Sequence, residues 1–279
     1  MGGKNTIASS IIEKLPEAEV LVDVFAGGCA VTHAAILSGK YRRFIVNDLG
    51  DGPRLFTDAV AGKYCDETRW ISREAFFALK DTDPYVAQCW SFGNNGRTYI
   101  YGRSIEACKH ALWAAIVWRD FAPLRDGYGL DLSFIDCIND TTARRRVGMD
   151  FIKRATKGSL KSLQRLQSLE SLQRLQCLQC LESPIEVHKG DYRDVAIPEG
   201  AVVYCDPPYR STATYSANDT VPFDYDAFYR WCKQTARKHP VFISEYSMPP
   251  EFREVGRWRK TCSYFPSTTN IVTERLYTI

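Results

Sequence analysis

Residues 19–30 read EVLVDVFAGGCA, and they decide the fold. The apolar, β-branched and aromatic run 19–25 predicts a strand, with Asp23 near its end. Ala26, Gly27 and Gly28 follow as a turn, and residues 30–38 have helical spacing closed by Gly39. Residues 43–48, RFIVND, predict a second strand that also ends on an acid, Asp48, and residues 6–15 predict a helix ahead of the first strand. Strand, glycine turn, helix and strand in that order make one βαβ half of a doubly wound sheet.

The same pattern returns late in the chain. Residues 185–188, 201–205 and 241–244 predict strands, residues 228–238 predict a helix, and residues 269–279 predict one or two edge strands. The strand 201–205, AVVYC, runs into Asp206-Pro207-Pro208-Tyr209. Proline gives no N–H to a ladder and fixes φ, so the two prolines end sheet pairing and hold Asp206 extended.

Between these flanks the pattern changes. Residues 55–157 are irregular and aromatic-rich with helical pieces such as 105–120, so the middle of the chain is expected to be an insertion in one sheet domain. Arginines alternate with aromatics from Phe92 to Arg103, and Arg144-Arg145-Arg146 add basic charge; stacking rings beside basic groups suit a nucleic-acid surface, with Arg97, Tyr99, Arg103, Arg144 and Arg145 as the candidates. Leucine then recurs at every third position from Leu160 to Leu181. Three residues are 300° of an α-helix, so the stripe drifts about 60° per triplet, and a helix with a winding stripe is expected.

Composition narrows the functional classes. A chain of 279 residues, 45% hydrophobic, can bury a large core, which suits one domain with an insertion. A net charge of +3 places any nucleic-acid contact in a local patch. The ten cysteines are scattered, with no second CxxC or neighbouring His to complete a set around Cys177 and Cys180; free thiols in a reducing cytoplasm are expected, and no metal. The longest apolar run, 111–118, is too short to span a bilayer, so no membrane partner is expected. Residues 1–6, MGGKNT, also fit the loose myristoylation pattern.

The glycine turn after an acidic strand end suits a nucleoside cofactor that carries positive charge, and Asp48, ending the next strand, suits ribose hydroxyls. S-adenosylmethionine has both features. With Asp23-Val24-Phe25-Ala26-Gly27-Gly28 as cofactor turn, Asn47-Asp48, Gly190-Asp191-Tyr192 and Asp206-Pro207-Pro208-Tyr209 in this order, the chain resembles the Dam-like (D12 class) adenine-N6 DNA methyltransferases. Ser244-Glu245-Tyr246 and Glu274-Arg275-Leu276 agree with that family's later motifs.

The resemblance implies a Rossmann-like S-adenosylmethionine-dependent methyltransferase sheet with an inserted, mainly helical target-recognition domain. Residues 1–55 and 183–279 would form the catalytic domain, 56–158 the target-recognition region, and 159–182 a separate leucine-repeat segment. It implies cofactor contacts from Gly3, Lys4, Asp23, Phe25, Ala26, Gly27, Gly28, Cys29, Asp48, Asp191, Tyr192 and Asp206, which explains the N-terminal segment better than lipidation does. Asp206, Pro207, Pro208 and Tyr209 would be catalytic, double-stranded DNA the partner and the cytoplasm the location. RNA adenine or another amine as acceptor, and a nucleic-acid-binding relative without activity, stay open as alternatives.

Overall fold

The computed structural model describes residues 4–156, 166–181, 184–209, 223–265 and 268–279. Gly3 and the first part of the leucine repeat lie outside them. The described chain divides into two units, Met1–Thr57 with Leu181–Ile279, and Asp58–Cys180.

The first unit is a seven-stranded sheet. Its strands are β1 (Val20–Asp23), β2 (Arg43–Asp48), β3 (Ile185–Lys189), β4 (Val202–Cys205), β5 (Val241–Glu245), β6 (Arg253–Phe265) and β7 (Thr268–Thr278), and their spatial order is β3-β2-β1-β4-β5-β7-β6. The first five run parallel, β7 pairs antiparallel with β5, and β6 with β7. This is the Rossmann-like methyltransferase architecture expected from the sequence. The order reverses between β1 and β4, which makes their carboxyl ends the topological switch point, the usual ligand position in an open α/β sheet.

Both faces of the sheet are buried, which accounts for the near-continuous apolar strands. Val20, Val22, Val203, Val241 and Ile243 pack on one face with Phe228 and Cys232 of α10 (Tyr225–Thr235). Leu21, Val202, Tyr204 and Phe242 pack on the other with Ile11 and Ile12 of α1 (Ala8–Lys14) and Ala35 of α2 (Ala30–Ser38). The alternation is the two-residue period of a strand read directly from the chain.

The C-terminal strands correct the sequence reading. β7 lies inside the sheet, not at its edge, and β6 was not anticipated at all. Its pattern is polar, and a register shift between Glu254 and Gly256 interrupts the alternation that would mark it.

The second unit is helical: α3 (Gly52–Val60) leads into it, followed by α4 (Arg73–Leu79), α5 (Pro84–Cys89), α6 (Arg103–Trp113), α7 (Ala122–Tyr128), α8 (Thr141–Ala155) and α9 (Gln167–Gln176). The expected helix 105–120 begins earlier and changes to a π turn over Ala114–Trp118. The core is aromatic: Trp70 stacks on Tyr101 at 5.7 Å and meets Trp90 and Trp113 edge-on. Tyr101 closes onto the leucine segment through a hydrogen bond between its hydroxyl and that of Ser168, 2.7 Å long.

Within the described part of the leucine repeat, Leu166, Leu169 and Leu172 are buried on α9, and Leu175 has drifted to half-burial. The chain then tightens into a 3₁₀ turn, Cys177–Cys180, and Leu178 is buried again. A period of three matches a 3₁₀ turn and not an α-helix, so the change of helix type brings the stripe back inward.

Candidate active site

The site in the sheet unit begins with the turn after β1. Gly27 has φ of +50° and its N–H donates to Asp48 Oδ2 at 2.8 Å, while Gly50 N–H donates to Oδ1 at 2.7 Å. Two backbone donors thus aim the Asp48 carboxylate at the end of β2. A Cβ placed on Gly27 or Gly28 meets nothing within 4 Å, so open space stands over the turn. Cys29 caps α2 in the left-handed region, φ +57°, and is fully buried.

Asn47 ties two strand ends together. Its side-chain amide donates to the carbonyls of Val24 and Gly190, both at 3.1 Å. This holds Gly190-Asp191-Tyr192 beside the turn. Tyr192 is buried and its ring lies 5.1 Å from that of Phe25. Asp191 accepts from the Arg193 guanidinium at 2.8 and 2.7 Å, and that hydrogen-bonded cation holds its carboxyl below the ordinary range.

Asp23 ends β1 with 1% exposure and accepts from the Thr32 hydroxyl at 2.8 Å. Burial pushes its carboxyl up to about 7, against the Thr32 hydrogen bond and helped by Asp206 and Asp48. A carboxyl that binds its proton more tightly folded than unfolded stabilises the fold in acid and loses that contribution as pH rises. We therefore expect Asp23 to make the melting temperature fall between about pH 4 and pH 7. Asp23→Asn should flatten that slope in calorimetric scans; an unchanged slope would locate the titration elsewhere.

Asp206 follows β4, next to β1 across the switch point. Both its oxygens accept from the Lys4 ammonium, at 2.6 and 2.7 Å. Lys4 is buried, yet it also reaches the Tyr209 hydroxyl at 2.5 Å and the Glu274 carboxylate at 3.2 Å. Burial opposes its charge, but the Asp206 and Glu274 carboxylates outweigh it and raise its pKa. The Tyr209 hydroxyl donates to Glu274, which is fully buried; burial, with Asp206 adding to it, moves that carboxyl up to about 7 against the pull of Lys4. Tyr225 donates to the Pro208 carbonyl at 2.9 Å and steadies the proline loop.

The structure thus brings Lys4, Asp23, Asp206 and Tyr209 to the end of β1 and β4, with Asp48 and Asp191 ending the neighbouring strands. Thr32, which bonds Asp23, and Gly52, where a Cβ would stand 1.9 Å from the Gly27 carbonyl oxygen, are additions that no motif marks, whereas Asn47 and Glu274 stand in stretches already matched to the family and gain their partners only in the fold. Tyr209 is buried, with Lys4 4.8 Å from its ring centroid and the Tyr246 ring 4.6 Å away at 78° to it.

The helical unit corrects two expected contacts. Arg144 is buried, and its guanidinium donates to the carbonyls of Ile116, Ile138 and Asn139 and to the Thr141 hydroxyl. These bonds leave it no reach to a phosphate; it ties α8 to the π turn. Tyr99 is buried too, its hydroxyl donating to the Ile71 carbonyl at 2.8 Å beneath Arg73. Aromatics beside arginines here build a core as well as a surface. Arg145 pairs with Glu170 at 3.1 Å, while Arg97 and Arg103 are exposed. Arg103 lines a cleft of about 560 Å³ together with Phe92, Thr98, Arg73 and Lys109.

Residues 1–88 match the family model of D12 class N6 adenine-specific DNA methyltransferases. The matched span holds Asp23 to Gly28 and Asp48 and stops before Asp206-Pro207-Pro208-Tyr209. This match, on a sheet of this topology, supports a methyltransferase and implies S-adenosylmethionine as methyl donor. No curated protein matches the chain. Among solved structures, the rRNA methyltransferase AviRa from Streptomyces viridochromogenes is 12% identical, with 100% of this chain and 85% of that one covered and a TM-score of 0.38. A conserved hypothetical protein of Streptococcus pyogenes is 11% identical, with 99% and 94% covered and a TM-score of 0.32. Likenesses this distant say nothing of substrate.

The residues present fit that cofactor. Asp48 is aimed by two backbone amides, the turn over Gly27 and Gly28 is open, and Asp23 Oδ1 is buried without a hydrogen-bond partner among the described residues. Among the described residues no His, Cys, Asp or Glu cluster suits a metal ion, and no helix is long and apolar enough to cross a membrane.

Proposed function

We propose that the chain methylates the exocyclic N6 of an adenine extruded from double-stranded DNA. The observation that carries this is the Asp206-Pro207-Pro208-Tyr209 loop standing at the switch point beside Asp23, with a buried ammonium on its carboxylate. S-adenosylmethionine, when bound, supplies an electrophilic methyl on a sulfonium. Lys4, Asp23, Phe25, Ala26, Gly27, Gly28, Cys29, Asp48, Asp191 and Tyr192 are the residues that would hold it, with Asp48 accepting from ribose hydroxyls.

An adenine amino group is a poor nucleophile because its lone pair is delocalised into the ring. Acceptors at fixed positions favour a pyramidal nitrogen whose lone pair is free to react, so orientation and electrostatics supply the catalysis. Asp206 offers such an acceptor. A carboxylate has about four lone-pair sites, and two hydrogen bonds from Lys4 leave sites for an N–H of the base. The Pro207 carbonyl is the natural second acceptor. The base must leave the duplex because its N6 is out of reach inside it.

DNA, in this reading, is held by the helical unit, with Arg97 and Arg103 as exposed contacts and residues 56–158 as the target-recognition region. The test is to incubate unmethylated duplex DNA, and separately RNA, with the protein and S-adenosylmethionine, and to map modified bases by direct sequencing. N6-methyladenine in duplex DNA at defined sites is expected. Modification of RNA alone would replace the substrate, and none on either would sink the reading.

A further inference from the structure

The C-terminal hairpin outgrows the sheet that carries it. β7 pairs with β5 only from Arg275 to Thr278, whereas its pairing with β6 continues through Glu274, Thr273, Val272, Ile271 and Asn270 to Thr268. β7 runs antiparallel to β5, so Arg275 stands level with Glu245 at the carboxyl end of β5, and the residues before Arg275 lie beyond it. A two-stranded ribbon therefore projects past the carboxyl end of the sheet, the end at which Asp23, Asp48 and Asp206 stand.

Successive strand residues point to opposite sides, so the ribbon has two faces. Trp258 and Glu274 pair across the strands on one of them; Trp258 packs against the core cluster that holds Leu21, Tyr204 and Leu276, and Glu274 meets Lys4. The other face carries Arg257, directly opposite Arg275, and Arg259, opposite Thr273. Like charges directly opposite one another destabilise a sheet. Among the described residues these two arginines share Glu254 as their ion-pair partner, 2.7 Å from Arg257 and 3.3 Å from Arg275. Arg259 is exposed and has no ion pair among the described residues, and residues 255–265 contain no acid. The row therefore carries surplus positive charge.

We propose that Arg257, Arg259 and Arg275 hold backbone phosphates of the duplex, giving the sheet unit a nucleic-acid contact of its own in addition to those expected of the helical unit. This rests on the reading above. An adenine reaches Asp206 only from a duplex brought to the carboxyl ends of the strands, and the ribbon rises from that end. Arg257 and Arg259 are two residues apart, about 7 Å along a strand. Phosphates recur about every 3.4 Å of axis along one DNA strand, so both guanidiniums can meet one backbone. The planar guanidinium fork matches a phosphate, and a polyanion relieves the repulsion between Arg257 and Arg275. Phosphate contacts fix where a duplex lies and carry no sequence information, so the row positions the substrate and does not choose the adenine.

Fluorescence anisotropy of the whole chain on unmethylated duplex DNA, repeated over a salt series, tests it. Arg259→Gln should weaken binding roughly 3–10-fold at about 0.1 M salt and make the slope of log K against log salt shallower by about 0.9. Arg257→Gln with Arg259→Gln should remove about 1.8 from the slope. The loss should be equal on duplexes of unrelated sequence, and Arg259→Lys, which keeps the charge, should keep the slope. Arg257→Gln takes away the like charge opposite Arg275, so its melting temperature should hold or rise, which separates a lost contact from a lost fold. A slope unchanged in both Arg259→Gln and the charge reversal Arg259→Glu would overturn the proposal, as would a wild-type chain that binds no duplex or a slope change confined to single-stranded RNA. If the duplex is bound and never methylated, the reading of function fails; the slopes, which need no turnover, still decide what the ribbon does.

Discussion

Asp206→Ala should lower the methyl-transfer rate by about three orders of magnitude, within the 10²–10⁴ range for a positioned proton acceptor, while DNA affinity stays within a few-fold. The variant loses the acceptor that would pyramidalise the amine and take its proton. It also leaves Lys4 with Glu274 and the Tyr209 hydroxyl as partners, so the ammonium stays paired and the fold survives. Removing Asp206 removes a negative neighbour that raises the Glu274 pKa, so Glu274 should titrate lower in the variant. Asp206→Asn, which keeps the shape and one acceptor oxygen, should fall between wild type and alanine. Rapid-quench single turnovers and DNA binding by fluorescence anisotropy measure the two quantities separately. Undiminished methylation in Asp206→Ala would falsify the role given to this carboxylate.

The largest effect on stability should come from a residue that contacts no ligand. A Cβ on Gly52 would stand 1.9 Å from the Gly27 carbonyl oxygen and 2.7 Å from its carbon, both backbone atoms. No rotamer change relieves that overlap, so either α3 or the turn after β1 must move. Overpacking of this kind costs about 3 kcal/mol, which in a unit of this size lowers the melting temperature by roughly 10 °C. Moving Gly27 also releases its N–H from Asp48, so cofactor affinity should fall at least tenfold, roughly the 1.4 kcal/mol worth of one hydrogen bond. Gly28→Ala is the control, since its Cβ meets nothing within 4 Å and its melting temperature should barely change. Differential scanning calorimetry and calorimetric titration with S-adenosylmethionine check both. Equal stability of Gly52→Ala and Gly28→Ala would show that α3 can yield at no cost.

These two sites differ in how far the chain alone reveals them. The acid before two prolines is a local pattern with a local cause: proline stops the ladder and leaves Asp206 at a strand end. Gly52 is one glycine among several in a turn-rich stretch, and only the approach of α3 to the turn makes its missing side chain essential. The arginines divide in the same way. Arg144 and Arg145 are adjacent and identical in type, yet one is folded inward onto three carbonyls and the other pairs with Glu170. Direction around a helix depends on what packs against it, and Ile116 of the π turn and Ile138 of the loop before α8, which receive Arg144, both lie outside α8.

What the sequence determined by itself is whatever follows from short-range chemistry. The apolar runs specified β1, β2, β4 and β5, glycine and proline placed the turns that end them, and the order of strand-end acids pointed to the crevice where they meet. What the tertiary structure alone decided is which charges share a buried space. Lys4 and Glu274 stand near opposite ends of the chain, and no periodicity relates them. They meet because β7 inserts beside β5 and brings Glu274 under the loop that follows β4. Inside, where water screens little, that meeting determines which carboxyls hold protons near neutral pH.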